Sequence, residues 1–194
     1  MRCLFGVLLA LMLVGITRAA TAPGEVTVQG EVTVQGKPDG NVPGWTVHAQ
    51  APTGWTADCC TYARAIGVNL VMYRGEWTGE PDRVMVLNVW PRKLASLAAE
   101  LDADRKHYLQ RDPAARVGRF ALRHRGMACQ AQVFEGTDHV DDAVVFCDPG
   151  KAAGIRLSWS VSFKDADPQR AALLDDFMRV VVGTRYQRQA AAPR

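Results

Sequence analysis

Cys129-Gln130-Ala131-Gln132-Val133 and Ala143-Val144-Val145-Phe146-Cys147, followed by Ile155-Arg156-Leu157-Ser158-Trp159-Ser160-Val161-Ser162-Phe163, are the segments on which the fold turns. The first and third alternate apolar or small residues with polar ones. The second is a short apolar run in which alanine and valine recur at every other position, and all read as strands. Folding the first two back about Asp138 sets Cys129 opposite Cys147, Ala131 opposite Val145 and Val133 opposite Ala143, all on one face. One register therefore turns every small apolar residue inward and brings two sulfurs together, which a random spacing seldom does. The third segment adds a neighbour with one apolar face. An antiparallel sheet with a buried face is specified; an activity is not.

Working outward, Met1 to about Ala20 carries Arg2, an apolar run from Cys3 to Val14, and the small residues Thr17 and Ala19. This is the pattern of a secretory signal peptide cleaved near Ala19 or Ala20, and it is short for a membrane span. No span is expected after its removal, and the localisation expected is periplasmic or secreted. Losing Arg2 and Arg18 takes 23 basic residues to 21 against 20 acids. A balance that even gives no reason to expect nucleic acid as a partner. Four cysteines then remain in an oxidising compartment, where an even count reads as disulfides. The hairpin register pairs Cys129 with Cys147. The neighbours Cys59 and Cys60 stay open between a bond to each other, free thiols, and pairing of their segment with the hairpin.

Residues 21–41 form an N-terminal arm in which Gly24-Glu25-Val26-Thr27-Val28-Gln29 recurs unchanged as Gly30 to Gln35. Two copies are too few for a solenoid, but the alternating valines suit a sheet edge. A single globular domain is expected over 42–186, with a disordered tail from 187 to 194 and a solvated basic stretch at Arg185 to Arg188. Within the domain, Thr56 fits as N-cap of a helix reaching Ile66, with Asp58 in its first turn and Cys59 on its buried face. Val68–Tyr73 and Val84–Val89, apolar on both faces, predict central strands. A helix is predicted from Lys93 to Gln110, its charged side solvated, and a last helix opened by Asp167-Pro168 with Leu174, Phe177, Met178 and Val181 inward.

Chemistry is sparse. No nucleophile elbow, HExxH, Walker loop or dinucleotide fingerprint occurs, and His48, His107, His124 and His139 lie on unrelated segments without ligand spacing. Neither an enzyme nor a cofactor or metal is expected. Glu76 and Trp77 in the glycine-rich loop 74–81, and Asp138 and His139 at the hairpin tip, are the candidate binding residues. Trp77 reads either as a recognition anchor or as a lid folded onto the core.

Pro43-Gly44-Trp45, an alanine-containing helix, Gly67-Val68-Asn69-Leu70-Val71-Met72-Tyr73, the Trp77 loop with Pro81, and Val84-Met85-Val86 resemble, in that order, secreted bacterial proteins of the PsbP/Mog1/DcrB-like class. The resemblance implies an α+β fold, an antiparallel sheet of about six to seven strands flanked by three helices, and an accessory or binding role. The expectation is a non-enzymatic periplasmic binding or accessory protein, of the inhibitor or immunity type, with an envelope protein as partner. The alternative is a thiol-dependent metal-binding or redox protein using Cys59 and Cys60.

Overall fold

The computed structural model describes residues 30–190 apart from 78–80 and 82. The expected signal peptide, its cleavage point and the first hexad copy lie outside the described residues. Seven strands make the main sheet: β3 (Thr56–Asp58), β4 (Leu70–Arg74), β5 (Arg83–Pro91), β6 (Arg116–Phe120), β7 (Ala128–Glu135), β8 (Val140–Asp148) and β9 (Ile155–Lys164). Their order is β3-β4-β5-β9-β8-β7-β6, with every neighbouring pair antiparallel. A smaller sheet is formed by β1 (Glu31–Gly36), β2 (Trp45–Gln50) and β10 (Arg185–Arg188) in the order β1-β2-β10. With α1 (Tyr62–Ala65), α2 (Leu97–Arg111) and α3 (Arg170–Gly183), the described residues form an α+β sandwich with three α-helices.

The β7–β8 register is the one the sequence predicts. Cys129 lies opposite Cys147, Ala131 opposite Val145 and Val133 opposite Ala143. Cys129 and Cys147 are bonded, with Cα atoms 4.2 Å apart. β9 sits at the centre, between β5 and β8. Its Leu157, Trp159, Val161 and Phe163 join Met85, Leu87, Val145 and Cys147 in the main core. Val32, Val34, Trp45 and Val47 of the small sheet close that core, together with Leu173, Phe177, Val180 and Val181 of α3. Trp159 is fully buried, and its indole N–H donates to Thr184 Oγ1 at 3.0 Å.

Several local expectations are corrected. The helix expected from Thr56 to Ile66 is a strand followed by four helical residues, because the Asp58 carboxylate accepts the N–H groups of Cys60, Thr61 and Ala63 and so starts the helix late. Ile66, the expected last residue of that helix, lies outside α1 and is exposed. α2 begins at Leu97 rather than Lys93, since Ser96 Oγ accepts from Ala99 N at 3.1 Å; Leu94 is left outside, exposed. The N-cap of α3 is Gln169, not Asp167, and its buried stripe runs through Leu173 and Val180 as well as Phe177 and Val181. The basic stretch Arg185 to Arg188 has exposed arginines, as expected, but it is a strand rather than a loose end. It pairs with β2 from Arg185 opposite His48 to Arg188 opposite Trp45, so order extends past 187, where a tail was expected.

The polar face of β9 is the largest correction. One buried face was expected, yet α2 covers part of the other. Arg156 is fully buried there, donating from Nη1 to Glu100 Oε1 at 2.6 Å and from Nε to Asp148 Oδ2 at 3.2 Å, while Arg92 also reaches Asp148. A buried guanidinium needs such partners, because its desolvation is otherwise prohibitive.

Replacing both Cys129 and Cys147 by Ala removes a loop closure of sequence separation 18. On the chain-entropy estimate that costs about 3 kcal/mol. Denaturant titration of oxidised protein should show a loss of that order, and titration with reductant a much smaller one. Equal losses under the two conditions would mean the pair acts only by packing.

Candidate functional site

The strand registers bring three connections to one end of the main sheet. β5 starts where β9 ends, with Met85 opposite Val161, and β8 starts there too, with Val140 opposite Lys164. The β4–β5 loop, the β7–β8 turn and the β9–α3 connection therefore share this end, and the two separate places where the sequence puts candidate residues both belong to it. Two open clefts lie here. One, of about 800 Å³, is lined by Pro81, Arg83, Phe163, Lys164, Asp167 and Pro168, among others. The second, of about 480 Å³, is lined by Arg116, Glu135, His139, Asp141, Asp165 and Arg170, among others.

At the turn, Asp138 Oδ1 accepts from Val140 N at 3.1 Å, and Gly136 N donates to Val140 O at 3.2 Å. Asp138 is thus occupied in shaping the turn. His139 has φ 65°, in the left-handed region, and its Nδ1 lies 2.9 Å from Asp165 Oδ2. That hydrogen bond, with the Asp165 charge, raises the His139 pKa above the ordinary imidazole value. Asp112 Oδ2 accepts from Thr137 N at 2.7 Å, which ties the turn to the end of α2. Behind it, the buried Asp141 pairs with Arg170 at 3.2 Å, and the Arg170 guanidinium lies over the Phe163 ring. In the larger cleft Arg83 and Asp167 pair at 2.6 Å. Charge here is organised into pairs.

The hairpin acids do not converge on a cation. Asp141 and Asp142 alternate across the strand; the first meets Arg170 and the second accepts from Ser162 Oγ. No cluster of three metal-ligating side chains occurs among the described residues.

Trp77 folds back at the side of this end. Its ring stacks on Tyr62 at 4.8 Å and meets Tyr73 edge-on at 5.2 Å, half-buried over a small core of Ala63, Val71 and Tyr73. Of its two readings, that is the geometry of a lid. Glu76 beside it is exposed. Cys59 and Cys60 are bonded to each other, their Cα atoms 3.7 Å apart.

Two carboxylates are more buried than the sequence suggests. Asp104, expected to be solvated, is partly buried and accepts from Gln132 Nε2 at 3.0 Å; burial raises its pKa. Burial also raises Asp142, whose neighbours include Arg111, Asp138 and Asp141. Gln132 is itself buried, on the face of β7 opposite its small apolar residues, and nothing in the alternation of that strand marks this polar face as covered.

No family model matches the chain, and no curated protein matches its sequence. Among solved structures it is similar to the solution structure of cyanobacterial PsbP (CyanoP) from Synechocystis sp. PCC 6803, at 13% identity, covering 86% of this chain and 98% of that one with a TM-score of 0.47.

The raised carboxylates have a sign. A folded-state pKa above the unfolded one means the native state holds the extra proton, so stability falls as pH rises through the folded pKa and the penalty is absent below the unfolded value. Asp142→Asn should therefore raise the melting temperature at pH 7, with a gain that shrinks as pH falls into the ordinary carboxylate range. A gain independent of pH, or a loss growing with pH, would show that the ionised form is favoured.

Proposed function

We propose that this chain is a non-enzymatic accessory protein of the bacterial envelope or secreted space, and that it binds another protein through the loop end of its main sheet. The observation that carries this reading is the convergence of the β4–β5 loop, the β7–β8 turn and the β9–α3 connection around two open clefts rimmed by paired charges. Loops held by a rigid scaffold are the usual place for recognition. Open clefts with apolar lining and charged pairs at their rims suit a protein surface, whose rim contacts are charged and hydrated. An inhibitor or immunity-type partner is the finer form of the reading. Export is supported by the apolar leader pattern in the sequence and by the bonded Cys129–Cys147 pair, since disulfides persist in oxidising compartments. No helix among the described residues is long and apolar enough to cross a membrane.

The metal-binding form of the thiol-dependent alternative needs free sulfurs at Cys59 and Cys60, whereas the redox form includes a bonded state. Their bond to each other leaves neither as a thiolate ligand in this state.

Lys164 is exposed at the loop end, whereas Lys151 is exposed on the short 3-10 turn at the opposite end of β9. Capture from envelope extract with immobilised protein should retain a partner that Lys164→Glu combined with His139→Ala weakens about tenfold or more, roughly 1.4 kcal/mol in binding. Lys151→Glu should leave capture unchanged. A partner lost equally with the Lys151 variant, no partner at all, or turnover in a broad hydrolase screen would each overturn the proposal.

A further inference from the structure

β1 is built from one copy of a sequence that the chain carries twice. Its place beside β2 makes specific demands. Val32 and Val34 are buried in the main core, opposite Ala49 and Val47. Thr33 Oγ1 bonds His48 Nδ1 at 3.1 Å, and Glu31 pairs with both His48 and Arg185. Gly30 O accepts from Ala51 N at 3.3 Å. Gly36 lies opposite Trp45, and a Cβ at this position would sit inside the Trp45 indole, so only glycine fits. The edge therefore requires Gly-Glu-Val-Thr-Val-Gln-Gly. Residues 30–36 supply it, and residues 24–30 supply the same seven residues in the same order. The offset between them is even, so a slip from one to the other keeps the valines inward and the threonine on the His48 side.

We propose that the two hexads are interchangeable as the edge strand, so that the chain slips between two registers on β2. One places residues 30–36 beside β2 and the other places residues 24–30 there, with Gly30 taking the position of Gly36 against Trp45. Every side chain that meets β2, Arg185 or the core is the same in both. What differs is the connection to Trp45, which runs over residues 37–44 in the first register and 31–44 in the second. Loop-closure scaling with the three-halves power of length favours the shorter by only about twofold. The bridge between Asp39 and Val42 lies within both connections and does not discriminate. The slip transfers one hexad between the segment ahead of the domain and the loop behind the strand, changing the reach of the former by roughly 20 Å.

The test is a thermodynamic cycle on the exported chain and on the same chain lacking residues 24–29. Gly36→Val blocks the first register by overpacking Trp45. In the chain lacking the spare copy it should raise the unfolding constant about tenfold or more, as steric overpacking of a buried contact does. In the full chain it should change that constant far less, because Gly30 takes over, and adding Gly30→Val should restore the large loss. An equal effect of Gly36→Val in the two chains, large or small, overturns the proposal.

Discussion

The indole of Trp159 must find an acceptor inside the sandwich, and the way it does so sets how the layers meet. A fully buried indole N–H without a partner costs about 1–3 kcal/mol, so the centre of β9 cannot simply be packed over. Its acceptor is Thr184 Oγ1, which in turn donates to Val180 O at 2.8 Å, while the His124 ring bonds Thr184 O at 2.9 Å. One buried threonine therefore joins the central strand, the last turn of α3 and the segment leading into β7. Thr184 also links α3 to β10, and β10 holds β2, which holds β1. The small sheet is positioned on the large one through this residue.

Around that tie the two ends of the sheet differ. At one end lie the Cys129–Cys147 bond and the buried network of Arg156, Glu100, Asp148 and Arg92. Both constrain the chain without offering a surface. At the other end the strands run out into three connections with half-exposed ion pairs and open clefts. Constraint is concentrated at one end, and the open clefts on which the proposed binding role rests lie at the other. The aromatic group of Tyr62, Tyr73 and Trp77 closes the side of the sheet that α1 alone is too short to cover.

Much of this architecture is legible in the residues. The β7–β8 register follows from alternation and from the chance to pair two sulfurs, and β9 from nine residues of unbroken period two. Alternation does not say whether the polar face is covered, so the burial of Arg156 and Gln132 under α2 was hidden, although an acid at Glu100 stood ready in the first turn of α2. β10 was hidden for another reason. A four-residue strand with arginine at both ends has one inward side chain, Tyr186, and reads as tail until β2 is present to pair with it. Near Cys59, Asp58 could serve either inside a helix or just before a shorter one, and only the fold decides. As for the candidate site, Trp77, Glu76, Asp138 and His139 were visible singly. Their shared location depends on strand order, which local pattern does not encode.

Hydrogen exchange at the Trp159 indole tests the central claim most directly, because that proton sits at the joint between the two layers. If Thr184 ties the layers as described, the proton exchanges only through global unfolding, with the same free energy as the slowest amides of β8 and β9. Exchange as fast as that of the amides in the 136–139 turn would mean that the layers part locally, and would contradict the account.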